Sequence, residues 1–317
     1  MTPRDNIYNF FKNKDYEWFP SSGDVLVFEP EELHDYKARG MINQQAPFDP
    51  KDYGGEGWFG LKWQYVPQVR GSITVGRIMD DLSDWRDVLQ WPDLDACDWE
   101  EIKERNKDYL NTDKLISTTI YTGYLERLIS FVEFEDAAIA LIDPDYEEDV
   151  TEIFTRLTDL YIDYARRMHE WFNVEYFLVH DDWGTQRAPM IAPDTQREMI
   201  LPHVKRLVDA IHEMGGIYEQ HSCGFIHDTI PNIIDSGADT WVGQECCDKE
   251  MLVNKYHDVF KFGVRVPNAP NATPEQSVAA LKEYYEKYKG KNVWFSVSRL
   301  MPKPNAEAAT AYLRSIK

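Results

Sequence analysis

Two short polar motifs in this sequence each follow an apolar run, and one of them holds residues typical of a metal site. In HSCG, His221 and Cys223 stand two residues apart, and Gly224 allows the chain to turn away. Neutral imidazole and thiolate are the usual soft ligands of zinc, and alternate side chains of an extended segment point the same way. His221 and Cys223 can therefore reach one ion, although a buried cysteine beside a hydrogen-bonded histidine is the commoner arrangement.

Zinc takes three or four ligands, so this pair does not complete a site. The other candidates all carry a carboxylate or thiol near a predicted strand: Glu219, Asp182, Glu245, Cys246 and Cys247. Cys246 and Cys247 fit two inert thiols equally well. The sequence leaves the identity of the remaining ligands open.

The second motif is HDDWGTQ, which begins at His180. A carboxylate at the end of a strand can orient a substrate, bind a metal or transfer a proton. It can also cap the helix or turn that follows, and we expect this role of Asp181 more than of Asp182. Asp182 is therefore the catalytic candidate, whereas His180 and Trp183 are expected to be core residues.

The elements that position both motifs alternate between short apolar runs and longer amphipathic segments. LISTTI (Leu115–Ile120) and VEYFLVH (Val174–His180) are typical of strands covered on both faces. Apolar residues recur at helical spacing from Ile153 to Met168. Another helix is predicted in APDTQREMILPHVKRLVDAIHEMGG, with Asp194 or Thr195 as its N-cap. Within it, Pro202 should kink or divide the helix.

This alternation predicts a parallel sheet with right-handed crossovers. Further strands are predicted in GIYEQH, DTWVG, VFKFGV and NVWFSV. With SITVGR or DVLVFE added at the N-terminal end, the sheet has seven or eight strands. That number favours an α/β (β/α)8 TIM barrel over an open doubly wound sheet. Active sites of such barrels lie at the carboxyl ends of the strands, and both polar motifs fall there.

The chain is expected to form a single barrel domain over residues 1–317. Residues 111–317 carry the regular β/α pattern, and residues 1–110 combine the first strands with an irregular elaboration rich in tryptophan. Six of the ten tryptophans lie in this elaboration: Trp18, Trp58, Trp63, Trp85, Trp91 and Trp99.

Composition excludes several classes of partner. The 34 basic and 55 acidic residues give a net charge of −21, which repels nucleic acid and anionic membranes. The sequence contains no apolar run of roughly 18 residues or more, so no transmembrane helix is expected. The first residues lack a secretory pattern, and the 4 cysteines are too few for a disulfide framework. A cytoplasmic location is therefore expected.

The segment from Thr151 to Gln244 resembles the uroporphyrinogen decarboxylase-like superfamily, and more closely its zinc methyltransferase branch, which serves corrinoid proteins. The resemblance rests on VHDDWGTQRAPMIAPDTQREMILPHVKRLVDAIHEMGG, followed by HSCGFIHDTIPNIIDSGADTWVGQ. It implies a (β/α)8 barrel in which His221 and Cys223 bind zinc. The arginine-bearing N-terminal signature of true uroporphyrinogen decarboxylases is not recognisable in DVLVFEPEELHDYKARG, and this disfavours porphyrinogen as the substrate.

The chain departs from that branch near the last strand, where the best-known members supply another cysteine. Here the segment VWFSVSRLMP contains Ser296 and Ser298 instead. A third ligand must then come from elsewhere. Glu245 is the preferred replacement because it follows a predicted barrel strand.

The resemblance implies transfer of a methyl group between a small methylated compound and the cobalt of a corrinoid, with zinc as a Lewis acid. The N-terminal aromatic residues would suit a methoxylated aromatic substrate. The corrinoid would belong to a partner protein, because the chain contains no cobalamin-binding D-x-H-x-x-G motif. Two alternatives remain: a metal-independent decarboxylase or lyase on the same barrel, and a non-catalytic ligand-binding protein.

Overall fold

The computed structural model describes residues 1–40, 50–68, 71–267, 269, 271–297 and 301–317, and Ser298 lies outside them. Ten strands are described: β1 (Val25–Val27), β2 (Gly55–Glu56), β3 (Lys62–Val66), β4 (Gly71–Thr74), β5 (Leu115–Ile120), β6 (Val174–His180), β7 (Ile217–Ser222), β8 (Thr240–Gly243), β9 (Lys261–Arg265) and β10 (Val293–Ser296). The predicted strands LISTTI and VEYFLVH match β5 and β6 from end to end.

The described α-helices are α1 (Pro3–Phe11), α2 (His34–Arg39), α3 (Trp85–Val88), α4 (Trp99–Leu110), α5 (Tyr124–Val132), α6 (Phe134–Ala140), α7 (Glu147–Phe172), α8 (Pro193–Thr195), α9 (Leu201–Glu213), α10 (Ile230–Asp235), α11 (Lys249–Tyr256), α12 (Pro274–Tyr288) and α13 (Lys303–Arg314). None of the described helices is both long enough and apolar enough to cross a lipid bilayer.

Seven of the strands form one curled parallel sheet in the order β1-β5-β6-β7-β8-β9-β10. Every residue of β5, β7 and β8 is buried, as expected of parallel strands covered on both faces. A parallel bridge between Ser21 and Phe295 brings the two edges of the sheet together just before β1. The expected α/β barrel class is confirmed, with seven strands in the described part of the sheet.

The first strand of this sheet comes from DVLVFE and not from SITVGR. The SITV segment contributes to β4, which belongs to a separate antiparallel sheet with β2 and β3. Ile73 in β4 is 53% exposed. A strand with one solvent-exposed face is typical of a small antiparallel sheet, whereas a barrel strand is covered on both faces.

Helix α1 closes the amino end of the barrel. Phe11 packs edge-to-face on Tyr176 and Trp294, with ring centroids 5.5 and 5.9 Å apart. Ile217 and Val242 belong to the same apolar cluster, so these side chains point into the barrel from β6, β7, β8 and β10. Because these apolar side chains fill the amino end of the barrel, a site can be lined only by the polar groups at the carboxyl ends of the strands.

The predicted helix after β6 runs without a gap from Pro193 to Glu213, so Pro202 does not divide it. The helix widens into a π-helical turn at Gln196–Ile200, just before Pro202 in the first turn of α9. Proline has no N–H to donate to the preceding turn, which favours this wider turn. The predicted N-cap at Asp194 or Thr195 is wrong, because α8 starts at Pro193 and Ala192 is its N-cap.

Candidate metal centre

Four potential ligands meet at the carboxyl ends of β6 and β7: His180, Asp182, His221 and Cys223. One ligand atom from each lies within 4.8 Å of all the others. The two strands are hydrogen-bonded neighbours, and their register pairs His180 with His221. Adjacent strands that end at the same level therefore bring the two polar motifs together.

The four side chains are in close mutual contact. His221 Nε2 lies 3.4 Å from Cys223 Sγ, and His180 Nε2 lies 3.6 Å from Asp182 Oδ1. The two imidazole rings stack with centroids 4.8 Å apart. The Cys223 N–H also donates to Asp182 Oδ1 at 2.6 Å. Two nitrogens, one sulfur and one carboxylate oxygen form a donor set that suits zinc.

A carboxylate outside the group orients His180. Glu126 Oε2 lies 2.7 Å from His180 Nδ1, which leaves Nε2 directed toward Asp182. Glu126 in turn lies 3.8 Å from the Arg39 guanidinium, and that guanidinium lies over the Trp63 ring at 4.6 Å. Histidines that bind metals usually donate their other ring nitrogen to such a carboxylate, which fixes the tautomer.

The protonation of these groups reflects burial and mutual charge. Burial, and then the neighbouring charge of His180, hold the pKa of His221 well below its usual range, so His221 is a neutral ligand-type imidazole. Burial opposes the charged form of His180, but the Glu126 carboxylate, the hydrogen bond with Cys223 and the Asp182 charge together outweigh it and raise the His180 pKa well above its usual value. Burial raises the pKa of both Asp182 and Cys223. A bound cation would reverse this burial penalty on the thiolate and carboxylate.

Asp181 has a capping role, but it caps a helix that precedes it in the chain and not the helix or turn that follows it. Its carboxylate accepts hydrogen bonds from the N–H groups of Tyr124, Leu125 and Glu126 at 3.0, 3.2 and 2.9 Å. The Trp183 indole N–H donates to the same carboxylate at 2.9 Å. Asp181 thus holds the first turn of α5, the helix that carries Glu126, and Trp183 is a buried core residue.

Glu245, the expected third ligand, does not join the group. It lies in the turn after β8, and its side chain is exposed. Cys247 is buried, and its thiol donates to the Gly224 carbonyl at 3.3 Å, so it supports the loop that follows Cys223. Glu245 is not among the residues whose ligand atoms meet at the cluster. His180 and Asp182 are the additional donors that the fold supplies.

Glu219 shares the inward face of β7 with His221, as the alternation of side chains predicts. It lies one step deeper in the barrel, where the Tyr176 hydroxyl donates to its carboxylate. Glu219 is therefore held by the barrel interior and lies outside the metal-ligand group.

Close contacts hold together the loop after β6 and the loop after β7, which carry the two polar motifs. The Gln244 side-chain oxygen accepts from the Gly224 N–H at 3.2 Å and from the Gln186 amide at 3.1 Å. Gly224 has a positive φ of +80°, and a Cβ there would lie 2.0 Å from the Gly184 carbonyl oxygen. Only glycine fits at position 224, and this contact holds Cys223 beside Asp182.

The role of His180 was missed by sequence reasoning, although a signal was present. His180 is the last residue of β6 and has the same parity as the inward-facing Tyr176. Combined with a parallel neighbour in which His221 is the last residue but one, that parity indicates a paired-histidine site. The pairing of β6 with β7 was needed to apply it.

In three dimensions the chain is similar to a methyltransferase from Methanosarcina mazei, with a TM-score of 0.69 and 14% sequence identity over 99% of this chain and 98% of that one. The likeness is one of fold. Family 2 AP endonuclease from Brucella melitensis also matches (TM-score 0.39, 10% identity, 71% and 86% coverage). So does D-psicose 3-epimerase from Clostridium cellulolyticum H10 (TM-score 0.37, 10% identity, 74% and 87% coverage). No family model matches the sequence, and neither does any curated protein.

Proposed function

We propose that this protein is a zinc-dependent methyltransferase of the uroporphyrinogen decarboxylase-like superfamily. It would move a methyl group between a small methylated compound and the corrinoid of a partner protein. The observation that carries the proposal is the group of two imidazoles, a thiol and a carboxylate at the carboxyl end of a parallel barrel. The overall fold, which is like that of a methyltransferase, and the sequence resemblance to the zinc branch point the same way.

His221, Cys223 and His180 would hold the zinc, and Asp182 would be the fourth ligand or would orient the substrate. Zinc would supply Lewis acidity at the heteroatom that loses its methyl group. The protein's own contribution is the orientation of these donors. Glu126 lies against His180 Nδ1 and would fix the tautomer that presents Nε2 to zinc, and the Cys223 N–H donates to one Asp182 oxygen.

The methyl donor in this proposal is a methoxylated aromatic compound, which the tryptophan-rich N-terminal elaboration would suit. Trp63 of that elaboration is buried and packs against the Arg39 guanidinium, which faces Glu126. The corrinoid would arrive on a separate protein. The net charge of −21 favours a partner with a basic rim.

The decisive experiment measures zinc content and methyl transfer together. Wild type is expected to bind one zinc per chain and to methylate a reduced corrinoid protein with a methoxylated aromatic donor. His221→Ala and Cys223→Ser should lose both properties. Cys97→Ser and His257→Ala are matched controls that change the same residue types outside the ligand group, and they should retain both.

Equal zinc content in wild type and in the two site variants would refute the metal site. Full turnover by zinc-free protein, as a decarboxylase or lyase, would replace the proposal with the metal-independent alternative. Stoichiometric zinc with no methyl transfer to any corrinoid protein would support a binding protein.

A further inference from the structure

One arginine faces the inside of the barrel at the same end as the metal-ligand group. Arg265 is the last residue of β9. Two residues earlier, a Cβ on Gly263 would lie 2.0 Å from Val242 Cγ2 and 3.1 Å from Trp294 Cε2. Val242 and Trp294 belong to the inward-facing cluster. Alternate residues of a strand share a face, so Arg265 also points inward, at the open end.

The strand register sets the level of Arg265 in the barrel. The pairing of β7 with β8, and of β8 with β9, places His221 level with Gly263. Cys223 and Arg265 each follow two residues later, so they lie in the same layer with β8 between them. Two strand spacings correspond to about 10 Å between their backbones. A small molecule in the barrel mouth can therefore touch both.

The Arg265 side chain has no ion-pair or hydrogen-bond partner, a property that it shares, within the described residues, with Arg187 in the exposed loop after β6 and with the buried Lys249. Arg39 faces the Glu126 carboxylate. Lys249 places its ammonium 3.4 Å from the ring centroid of Trp241, and that ring packs in the core outside the sheet. The Arg265 side chain is exposed and makes neither an ion pair nor a hydrogen bond within the described part of the chain.

An arginine without an ion-pair partner among the described residues, at the barrel mouth of an acidic protein, is suited to binding an anion. With 55 acidic residues against 34 basic ones, most surface guanidinium groups have carboxylate neighbours. A planar guanidinium binds a carboxylate through two parallel hydrogen bonds, which adds orientation to attraction.

We propose that Arg265 binds a carboxylate of the small-molecule substrate. This proposal rests on the proposed function. The substrate is then an aromatic methyl ether that also carries a carboxylate. Its ether oxygen would lie at the metal-ligand group on β6 and β7, and its carboxylate at β9 on the other side of the mouth. A benzene ring with the two groups in para positions separates them in this way.

Binding of para-hydroxybenzoate, the demethylated product, tests the anion site without any turnover. Titration calorimetry on zinc-loaded protein should show binding that weakens by roughly 10- to 100-fold in Arg265→Ala. Arg265→Lys keeps the charge but loses the paired geometry and should fall between. The neutral analogue para-hydroxybenzyl alcohol should bind wild type and both variants equally. Arg206→Ala, which removes an exposed arginine paired with Asp159, is the matched control and should change neither ligand.

Absence of para-hydroxybenzoate binding to wild type, or equal affinities of wild type and Arg265→Ala, would overturn the inference. A corrinoid phosphate is the other anion that Arg265 could meet. If Arg265→Ala raises the KM for the corrinoid protein and leaves benzoate binding intact, the substrate assignment is wrong. Arg265-dependent benzoate binding in a protein that transfers no methyl group would refute the proposed function and leave the anion site standing.

Discussion

Glu126 Oε2 and His180 Nδ1 lie 2.7 Å apart, and this contact joins helix α5 to the metal-ligand group. The helix is itself held at its first turn by Asp181, which follows His180 in the chain. The strand end that supplies a ligand therefore also fixes the helix that orients it. The ligand role of His180 and the capping role of Asp181 can therefore be tested separately.

Glu126→Gln should weaken zinc binding while leaving the four ligands in place. An amide has no negative charge to support the imidazole, and loss of such an outer carboxylate typically lowers metal affinity by 10- to 100-fold. Competition with a chromophoric chelator measures the change. Glu133→Gln, an exposed carboxylate beside Arg77, should bind zinc as wild type does. Equal affinity of Glu126→Gln and wild type would show that the contact has no part in metal binding.

His180→Ala should reduce zinc binding as strongly as His221→Ala, because both imidazoles belong to the ligand group. Glu245→Gln should leave zinc affinity unchanged, because Glu245 lies in an exposed turn. The same chelator competition measures all three. Zinc loss in Glu245→Gln together with retention in His180→Ala would restore the ligand set expected from sequence.

Asp181→Ala should destabilise the fold by about 2–4 kcal/mol, because three helix N–H groups and an indole N–H lose a buried acceptor. Urea unfolding of the zinc-free protein measures it. Asp194→Ala removes an exposed aspartate from the first turn of α8 that makes no side-chain cap bond and should change stability by less than about 0.5 kcal/mol. Similar losses in the two variants would contradict the capping role.

The lowered pKa of His203 predicts that the folded protein loses stability in mild acid. Burial, and then the Arg206 charge, lower the His203 pKa from 6.5 to about 4. The unfolded chain therefore takes up this proton first, and stability falls as the pH decreases from 6.5 toward 4. The expected contribution is about 1–2 kcal/mol, reduced by partial solvent exposure of the ring.

His203→Gln should flatten that part of the profile of unfolding free energy against pH. Chemical denaturation at several pH values provides the profile. His257→Ala, which changes a partly exposed histidine beside Asp258, should keep the wild-type slope. An unchanged slope in His203→Gln would assign the acid sensitivity to other groups.

The barrel strands were predictable because each is a local pattern. Unbroken apolar runs bounded by polar turns mark strands covered on both faces, and Leu115–Ile120 and Val174–His180 were located without error. The H-x-C spacing likewise indicated that His221 and Cys223 share a face, since alternation along one strand is independent of its neighbours.

The ligands contributed by other segments depended on the pairing of strands. His180 joins the group because β6 is hydrogen-bonded to β7 in the register that matches His180 with His221. Glu245 lies outside the group, in an exposed turn after β8. Neither fact is carried by a local pattern.

By itself, then, the sequence determined the class of fold, the positions of the strands and one pair of candidate ligands. Tertiary structure alone decided that Asp181 caps α5, that Glu126 orients His180, and that Arg265 faces the barrel mouth. The physical reason is the separation along the chain over which each interaction acts. Burial and side-chain alternation act between near neighbours in the chain, whereas contacts between residues such as Glu126 and His180 exist only once the sheet has curled and its helices have docked.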